Sequence, residues 1–273
     1  MGIFDGILIC TDLDGTLYRG DKSISRENRE AIEYFKKEGG RFTFITGRMP
    51  YYATDAYKAI CPNAPFGAGN GGALYDGERG DYAWTAEPLP QSVGELIEAV
   101  VAEIPEVGVQ YASHYETFFA RENEMMVYFR AVTGVPNTTC KIGACPAPIA
   151  KILFGGEDAL MQRTERILRA HPRAAEFDFI RSEERLFEIL PKGISKGVAI
   201  EKLCAVLGIE RKNSIAIGDY NNDVPMLREA GLGVAVSNAC PEALAAADLI
   251  TVSNEEHAIA RIIYDLRDGK IKL

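Results

Sequence analysis

Four short stretches of this 273-residue chain share one layout: a structured element begins or ends at residues suited to a phosphate group or a Mg²⁺ ion. They are ICTDLDGTL at 9–17, FITGR at 44–48, PKGISKG at 191–197 and IGDYNND at 217–223. Three close the strand-like runs Ile7–Cys10, Arg41–Ile45 and Ser214–Ile217, and PKGISKG opens a helix. The carboxylates are Asp12, Asp14, Asp219 and Asp223, the hydroxyl is Thr46 and the cation is Lys196. One such stretch means little, because Asp-x-Asp strings are common in surface turns. Four in series require a fold that brings strand ends together. An open parallel sheet does so, and its ligands gather at the carboxyl ends of its strands.

The rest of the chain has the rhythm such a fold needs. Ile7–Cys10 reads as a strand buried on both faces. Ser25 is placed to cap a helix over Arg26–Glu38, with Ala31, Ile32 and Phe35 on one face and Gly39-Gly40 as its stop. Arg41–Ile45 follows as a strand, then a helix with Pro50 near its first position. Phe66–Ala68 and Ala73–Tyr75 flank the turn-rich GNGG at 69–72. Further on come helix Ser195–Leu207, strand Ser214–Ile217, helix Val224–Glu229, strand Gly233–Val236, helix Pro241–Ala246, strand Leu249–Thr251 and helix Glu256–Leu266. This alternation predicts right-handed βαβ units and a parallel sheet covered on both faces. Between Trp84 and Arg185 the rhythm breaks. Helix-like Ser92–Ile104 and Glu157–Ala170 mix with strand-like Glu116–Ala120, Ile149–Phe154, Phe177–Ile180 and Arg185–Ile189, none ending in such residues. The middle is expected to be a separate α+β unit inserted between the second and third stretches.

Asp12 and Asp14 alternate along an extended chain, so their carboxylates point the same way, about 6–7 Å apart. They repel unless they bind a cation or differ in protonation. Mg²⁺ suits such an oxygen-rich site and takes the rest of its shell from water and substrate phosphate. Asp12 then serves as ligand and nucleophile, and a protonated Asp14 as general acid. Gly15 permits the sharp exit and Thr16 braces the turn. Thr46-Gly47, read as lying just before a helix, offers an anion a hydroxyl and free N–H groups. Lys196 adds a point charge for an oxyanion or for the nucleophile. Asp219 supplies a metal carboxylate from another strand end. Asp223 suits orientation of the ligand groups or capping, and Asn222 can reach phosphate. Each stretch also has a bland reading as a turn, a cap or a solvated lysine; together they favour the chemistry.

Composition sets outer bounds. The chain is 47% apolar and 25% charged, ordinary for a globular protein. A net charge of −9 speaks against a nucleic-acid partner, which needs a basic face. No apolar run approaches membrane-spanning length, so no membrane is expected as a partner. The six cysteines form no CxxC pair; Cys10 and Cys204 read as buried thiols, and Cys140 and Cys145 as reduced surface thiols although near enough to bridge. A reducing cytoplasm fits.

DLDGT at 12–16, ITGR at 45–48, GISKG at 193–197 and GDYNND at 218–223 resemble the four motifs of the haloacid dehalogenase superfamily. NGG at 70–72, KILF at 151–154 and FEILPKG at 187–193 extend the resemblance to its Cof-type, class IIB, sugar-phosphatase-like branch. The resemblance implies a Rossmann-like doubly wound parallel-sheet core, residues 1–84 and 186–273, with an inserted α+β cap domain of C2 type at 85–185. It implies Mg²⁺ held by Asp12, the Asp14 backbone carbonyl and Asp219, with Asp223 orienting from outside the ligand sphere. Asp12 would become a phospho-aspartate, Asp14 would act as acid and then base, and Thr46 and Lys196 would hold phosphate. Leu13, Gly47, Arg48 and Asn222 are the further positions expected to contact phosphate or substrate. Family members that cleave C–halogen bonds lack the second Asp, so Asp14 favours a phosphate ester. Tyr220 departs from the small residues common at its position. The expected function is Mg²⁺-dependent hydrolysis of a small phosphorylated metabolite such as a sugar phosphate. The alternatives are a phosphomutase of the phosphomannomutase type and a non-catalytic phospho-ligand-binding or signalling protein on the same fold.

Overall fold

The structure, a computed structural model, describes residues 2–134, 136 and 138–273, and the side chain of Val132 is outside that description. In chain order the first elements are β1 (Leu8–Thr11), α1 (Arg26–Lys37), β2 (Arg41–Phe44), α2 (Thr54–Ile60), β3 (Phe66–Ala68), β4 (Ala73–Asp76) and β5 (Asp81–Thr85). Next come α3 (Val93–Glu103), β6 (Gly108–Ala112), β7 (Thr117–Arg121), α4 (Glu124–Thr133), β8 (Lys151–Gly155), α5 (Asp158–Ala170), β9 (Phe177–Glu183) and β10 (Leu186–Pro191). The chain closes with α6 (Lys196–Leu207), β11 (Ser214–Gly218), α7 (Val224–Glu229), β12 (Leu232–Ala235), α8 (Pro241–Ala246), β13 (Leu249–Ile250) and α9 (Ala258–Arg267). Two compact units result: residues 1–47, 54–85 and 195–273 form the first, and residues 48–53 and 86–194 the second.

In the first unit the sheet order is β13-β12-β11-β1-β2, with every pairing parallel. All four residues of β1 are buried, so both faces of the central strand are covered, as its unbroken apolar run requires. Leu8 and Cys10 pack with Ala199, Ile200 and Leu203 of α6 and with Met226 and Leu227 of α7. Ser25 caps α1 by accepting from the Asn28 N–H at 3.2 Å, and Asn28 in turn accepts from the Ala260 N–H of α9 at 3.0 Å. Registry decides where the chemistry goes. Thr11 is level with Ile217 on one side and Phe44 on the other, so the carboxyl ends of β1, β2 and β11 lie side by side. The chain leaves β1 towards β2 and reaches β11 on the opposite edge, a topological switch point. A small antiparallel sheet, β3-β4-β5, is joined to the end of β2 by a bridge between Ile45 and Gly67.

The second unit carries an antiparallel sheet of order β7-β6-β8-β10-β9. Alternation sorts its side chains: Val109, Tyr111, Ile152, Phe154, Phe187 and Ile189 pack with α3 and α5. Phe119, Leu153 and Leu186 instead meet Met125 and Met126 of α4. The expectation began the return to the first unit at 186; here β10 bonds to β8 and β9, and the return falls at Ser195. The expected helix directly after Thr46-Gly47 is absent among the described residues: a 3₁₀ turn over Pro50–Tyr52 comes first, and α2 starts only at Thr54. Cys140 and Cys145 are both free thiols, and no helix among the described residues is long and apolar enough to cross a membrane.

Ser25→Ala removes the α1 cap and is expected to cost about 1 kcal/mol of stability. The measurement is urea unfolding, where the midpoint falls and the slope stays unchanged.

Candidate active site

The site starts from β1, whose ladder carries on one residue further: the Asp12 N–H donates to the Ile217 carbonyl at 2.8 Å. The Asp12 carboxylate is thereby set at the switch point, buried to 8% exposure. Leu13 is fully buried, and its carbonyl accepts from the Leu17 and Tyr18 N–H groups at 3.1 and 2.8 Å, closing the turn. Asp14 is more open and pairs with Lys22 at 2.8 Å. Gly15 stands at φ +82°, and a Cβ there would come 2.5 Å from Asp219 Oδ2. Only glycine fits both the conformation and the space. Thr16 does more than brace its own turn: its hydroxyl donates to Asp219 Oδ1 at 2.6 Å, across 203 residues of chain.

Lys196 opens α6 with no exposed surface, and its ammonium donates to Asp12 Oδ1 at 2.6 Å and Asp223 Oδ1 at 2.5 Å. Of the two partners left open for it, oxyanion or nucleophile, the contact seen is with Asp12. Asp223 starts α7 without a side-chain cap bond; its other oxygen accepts from the Asp219 and Tyr220 N–H groups, each at 2.9 Å. Thr46 is 3% exposed, and its N–H donates to the Gly67 carbonyl at 2.9 Å. That N–H therefore belongs to a sheet bridge and offers nothing to an anion in the manner of a helix start. Gly47 lies against Asn70, and Asn222 donates from Nδ2 to Asn70 Oδ1 at 3.1 Å. Arg48 is the first residue of the second unit. The four stretches thus supply one cluster, with Arg48 grouped elsewhere. The sequence alone does not single out Lys22 or Asn70 as site residues, although Asn70 carries a signal, a polar residue between glycines in GNGG.

Carboxylate oxygens of Asp12, Asp219 and Asp223 lie within 4.8 Å of one another. Asp14 contributes no side-chain oxygen to this group. Burial, and then the charge of Asp223, push the Asp219 carboxyl up to about 6, against the pull of the Thr16 hydroxyl and Lys196. Burial also raises Asp12 well above the usual carboxylate range; Lys196 opposes this, while Asp223 and Asp219 add to it. Burial alone would lower the Lys196 ammonium, yet Asp12 and Asp223 hold it above its ordinary value. A simple ion pair would lower its acid while raising its base. Here several carboxylates share one ammonium, so negative charge is left over. A hard divalent cation coordinated by oxygens is the group that relieves it, and the donor set fits Mg²⁺.

Known proteins resemble the chain along nearly its whole length. The pattern of the haloacid dehalogenase-like hydrolases matches residues 9–263. A 5-amino-6-(5-phospho-D-ribitylamino)uracil phosphatase of Bacillus subtilis is 30% identical over 291 residues, covering 96% of this chain and 98% of its own. The crystal structure of a haloacid dehalogenase-like hydrolase from Bacteroides thetaiotaomicron superposes with a TM-score of 0.81 at 26% identity, over 95% of this chain and 99% of the other. A sugar phosphatase of haloacid dehalogenase subclass IIB shares the fold, with a TM-score of 0.81 at 22% identity, over 97% of this chain and all of the other.

One pH effect follows from the raised Asp219. Its folded pKa of about 6 lies above the ordinary carboxylate value of 3.8, so burial of this group favours folding only while it is protonated. Without added metal, its contribution to stability is present below pH 3.8 and is lost as pH rises through about 6. A cation must displace that proton. The rise in melting temperature caused by Mg²⁺ is therefore expected to be clear at pH 7.5 and to fade towards pH 5, measured by thermal unfolding with and without the ion. These cross-linked segments, their buried charge and the match along nearly the full length have one reading: the chain belongs to the haloacid dehalogenase-like hydrolases, as an enzyme of their phosphatase branch.

Proposed function

We propose that the protein is a Mg²⁺-dependent phosphatase that hydrolyses a small phosphorylated metabolite through a phospho-aspartate at Asp12. One observation carries this reading: the buried Asp12 carboxylate is held by Lys196 at 2.6 Å, beside Asp219 and Asp223, with Asp14 two residues further on. Asp12, Asp219 and Asp223 are the carboxylates that would hold or orient Mg²⁺. When bound, the ion would neutralise charge on the phosphoryl oxygens.

In the first half-reaction an Asp12 oxygen attacks phosphorus and the bond from phosphorus to the ester oxygen breaks. The departing alkoxide takes its proton from the Asp14 carboxyl and leaves as an alcohol. In the second half the Asp14 carboxylate accepts a proton from water as that water attacks phosphorus. The bond from phosphorus to Asp12 then breaks, which returns both carboxyl groups to their starting forms and releases inorganic phosphate. Lys196 restrains Asp12 and offsets its repulsion with Asp223 throughout. Thr46, Gly47 and Asn222 would meet the phosphoryl oxygens.

The substrate class draws on the relatives. One is named for a phosphoribitylamino compound and another as a sugar phosphatase, both phosphate esters of polyhydroxylated carbon chains. A sugar phosphate or a similar polyol phosphate is the favoured substrate here.

The test is phosphate release from a panel of phosphorylated sugars, nucleotides and cofactors, with Mg²⁺ and then with EDTA. Release that needs Mg²⁺ and favours a sugar or polyol ester is expected; no release from any compound by folded protein would sink the proposal. Asp12→Asn is expected to lower kcat by about 10³-fold or more with the fold intact by circular dichroism. Asp14→Asn should slow alkyl phosphates by about 10²-fold or more, and p-nitrophenyl phosphate far less, because that leaving group needs little protonation. Equal losses on both substrates would remove Asp14 as the acid.

A further inference from the structure

Asn70 has no part in the chemistry above, yet it touches two of the four stretches, and its neighbour Gly71 meets a third. It is fully buried and sits in the GNGG turn at φ 56°, ψ 34°, the left-handed region that asparagine enters more readily than most residues. Its N–H donates to the Thr46 carbonyl at 3.0 Å. Its amide oxygen accepts from Asn222 Nδ2 at 3.1 Å. A Cβ added to Gly47 would come 3.1 Å from that same oxygen, so the backbone after Thr46 rests directly on the amide. Next door, Gly71 stands at φ +94°, and a Cβ there would fall 2.0 Å from the Ser195 carbonyl. The turn is therefore pressed against the residue that precedes Lys196.

Backbone shape does not explain this side chain. Its neighbours Gly69 and Gly71 also hold positive φ, and glycine would suit position 70 without strain. The chain instead buries an amide, which is costly unless its hydrogen bonds are made. What those contacts achieve is orientation: with Nδ2 held by Asn70, the rest of the Asn222 amide can face only one way.

We propose that Asn70 is a positioning residue for phosphoryl transfer. It fixes the amide of Asn222 and seats Thr46-Gly47, so that these groups meet one phosphate in a common register. This inference rests on the phosphatase reading of the same site.

Asn70→Gly tests it, because glycine keeps the left-handed backbone and deletes only the amide. The variant is expected to lose only a few degrees in melting temperature, because glycine frees the unfolded chain and Asn222 loses a partner, but about tenfold in kcat, with KM changed by about twofold or less. Asn70→Gly combined with Asn222→Ala is expected to be no slower than Asn222→Ala alone, because both changes remove one coupled unit. An unchanged kcat in the single variant overturns the proposal, as do losses that multiply in the double. A large drop in melting temperature also overturns it, by showing that the amide acts as a structural weld. A second readout needs no turnover: exchange of the Asn222 Nδ2 protons with solvent, followed by NMR, should be slow in the wild type and fast in Asn70→Gly. Slow exchange in both refutes the positioning role even if the wild type hydrolyses nothing, an outcome that would separately count against the phosphatase reading.

Discussion

The Lys196 ammonium, wedged between Asp12 and Asp223 with no exposed surface, is the contact on which the rest of the site depends. Taking charges out of water costs several kcal/mol per ion, and two carboxylates around one ammonium recover only part of it. The arrangement therefore makes poor sense as a device for stability. Its effect is geometric. Asp12 ends β1, Lys196 starts α6, and Asp223 clasps the backbone after β11 through two N–H groups, so one cation pins three distant pieces of chain to a common point. The large apolar core around β1 supplies the free energy that makes so strained a set of charges affordable.

How much of this the sequence carried depends on the range of the interaction. Elements of the first unit were legible because their signals are local. Ser25 ahead of an amphipathic run, the apolar strand around Ile9 and the glycines that end helices each act within a few residues. The motif residues were legible for the same reason, since each had to stand at a strand end or helix start. The misreading after Thr46 shows the limit. Pro50 does start a helical turn, but a 3₁₀ one, and the Thr46 N–H is taken by Gly67, a sheet partner 21 residues on that no local pattern announces. In the second unit β6 and α4 leave no clear pattern in the sequence: β6 is a short GVQYA run, and α4 carries apolar residues around most of its circumference, which hides its period.

Sheet order also separates this site from a phospho-acceptor signalling module, which shares an aspartate, a lysine and a hydroxyl on a doubly wound sheet. Here a second carboxyl follows Asp12 by two residues, Asp219 arrives from the late strand β11, and a second α+β unit interrupts the chain before Lys196. Such a module stores a phosphoryl group, and a neighbouring acid able to become a base works against storage. Asp14 is more open than Asp12, and its partner Lys22 is exposed.

The remaining organisation is polar, and it runs between segments more than within them. Thr16 grips Asp219, Asn238 reaches the Gly15 carbonyl at 2.9 Å, Asp223 clasps the exit of β11, and Asn70 joins Thr46 to Asn222. Apolar packing tolerates small slides and rotations, because its energy varies gently with position. Hydrogen bonds in a buried setting do not, since a donor misplaced by an ångström is a donor lost. The proposed reaction, which would bring a carboxylate oxygen in line with a phosphorus atom, calls for the second kind of restraint. That is the physical reason a site at the mouth of so apolar a sheet is held by threonine, asparagine and aspartate.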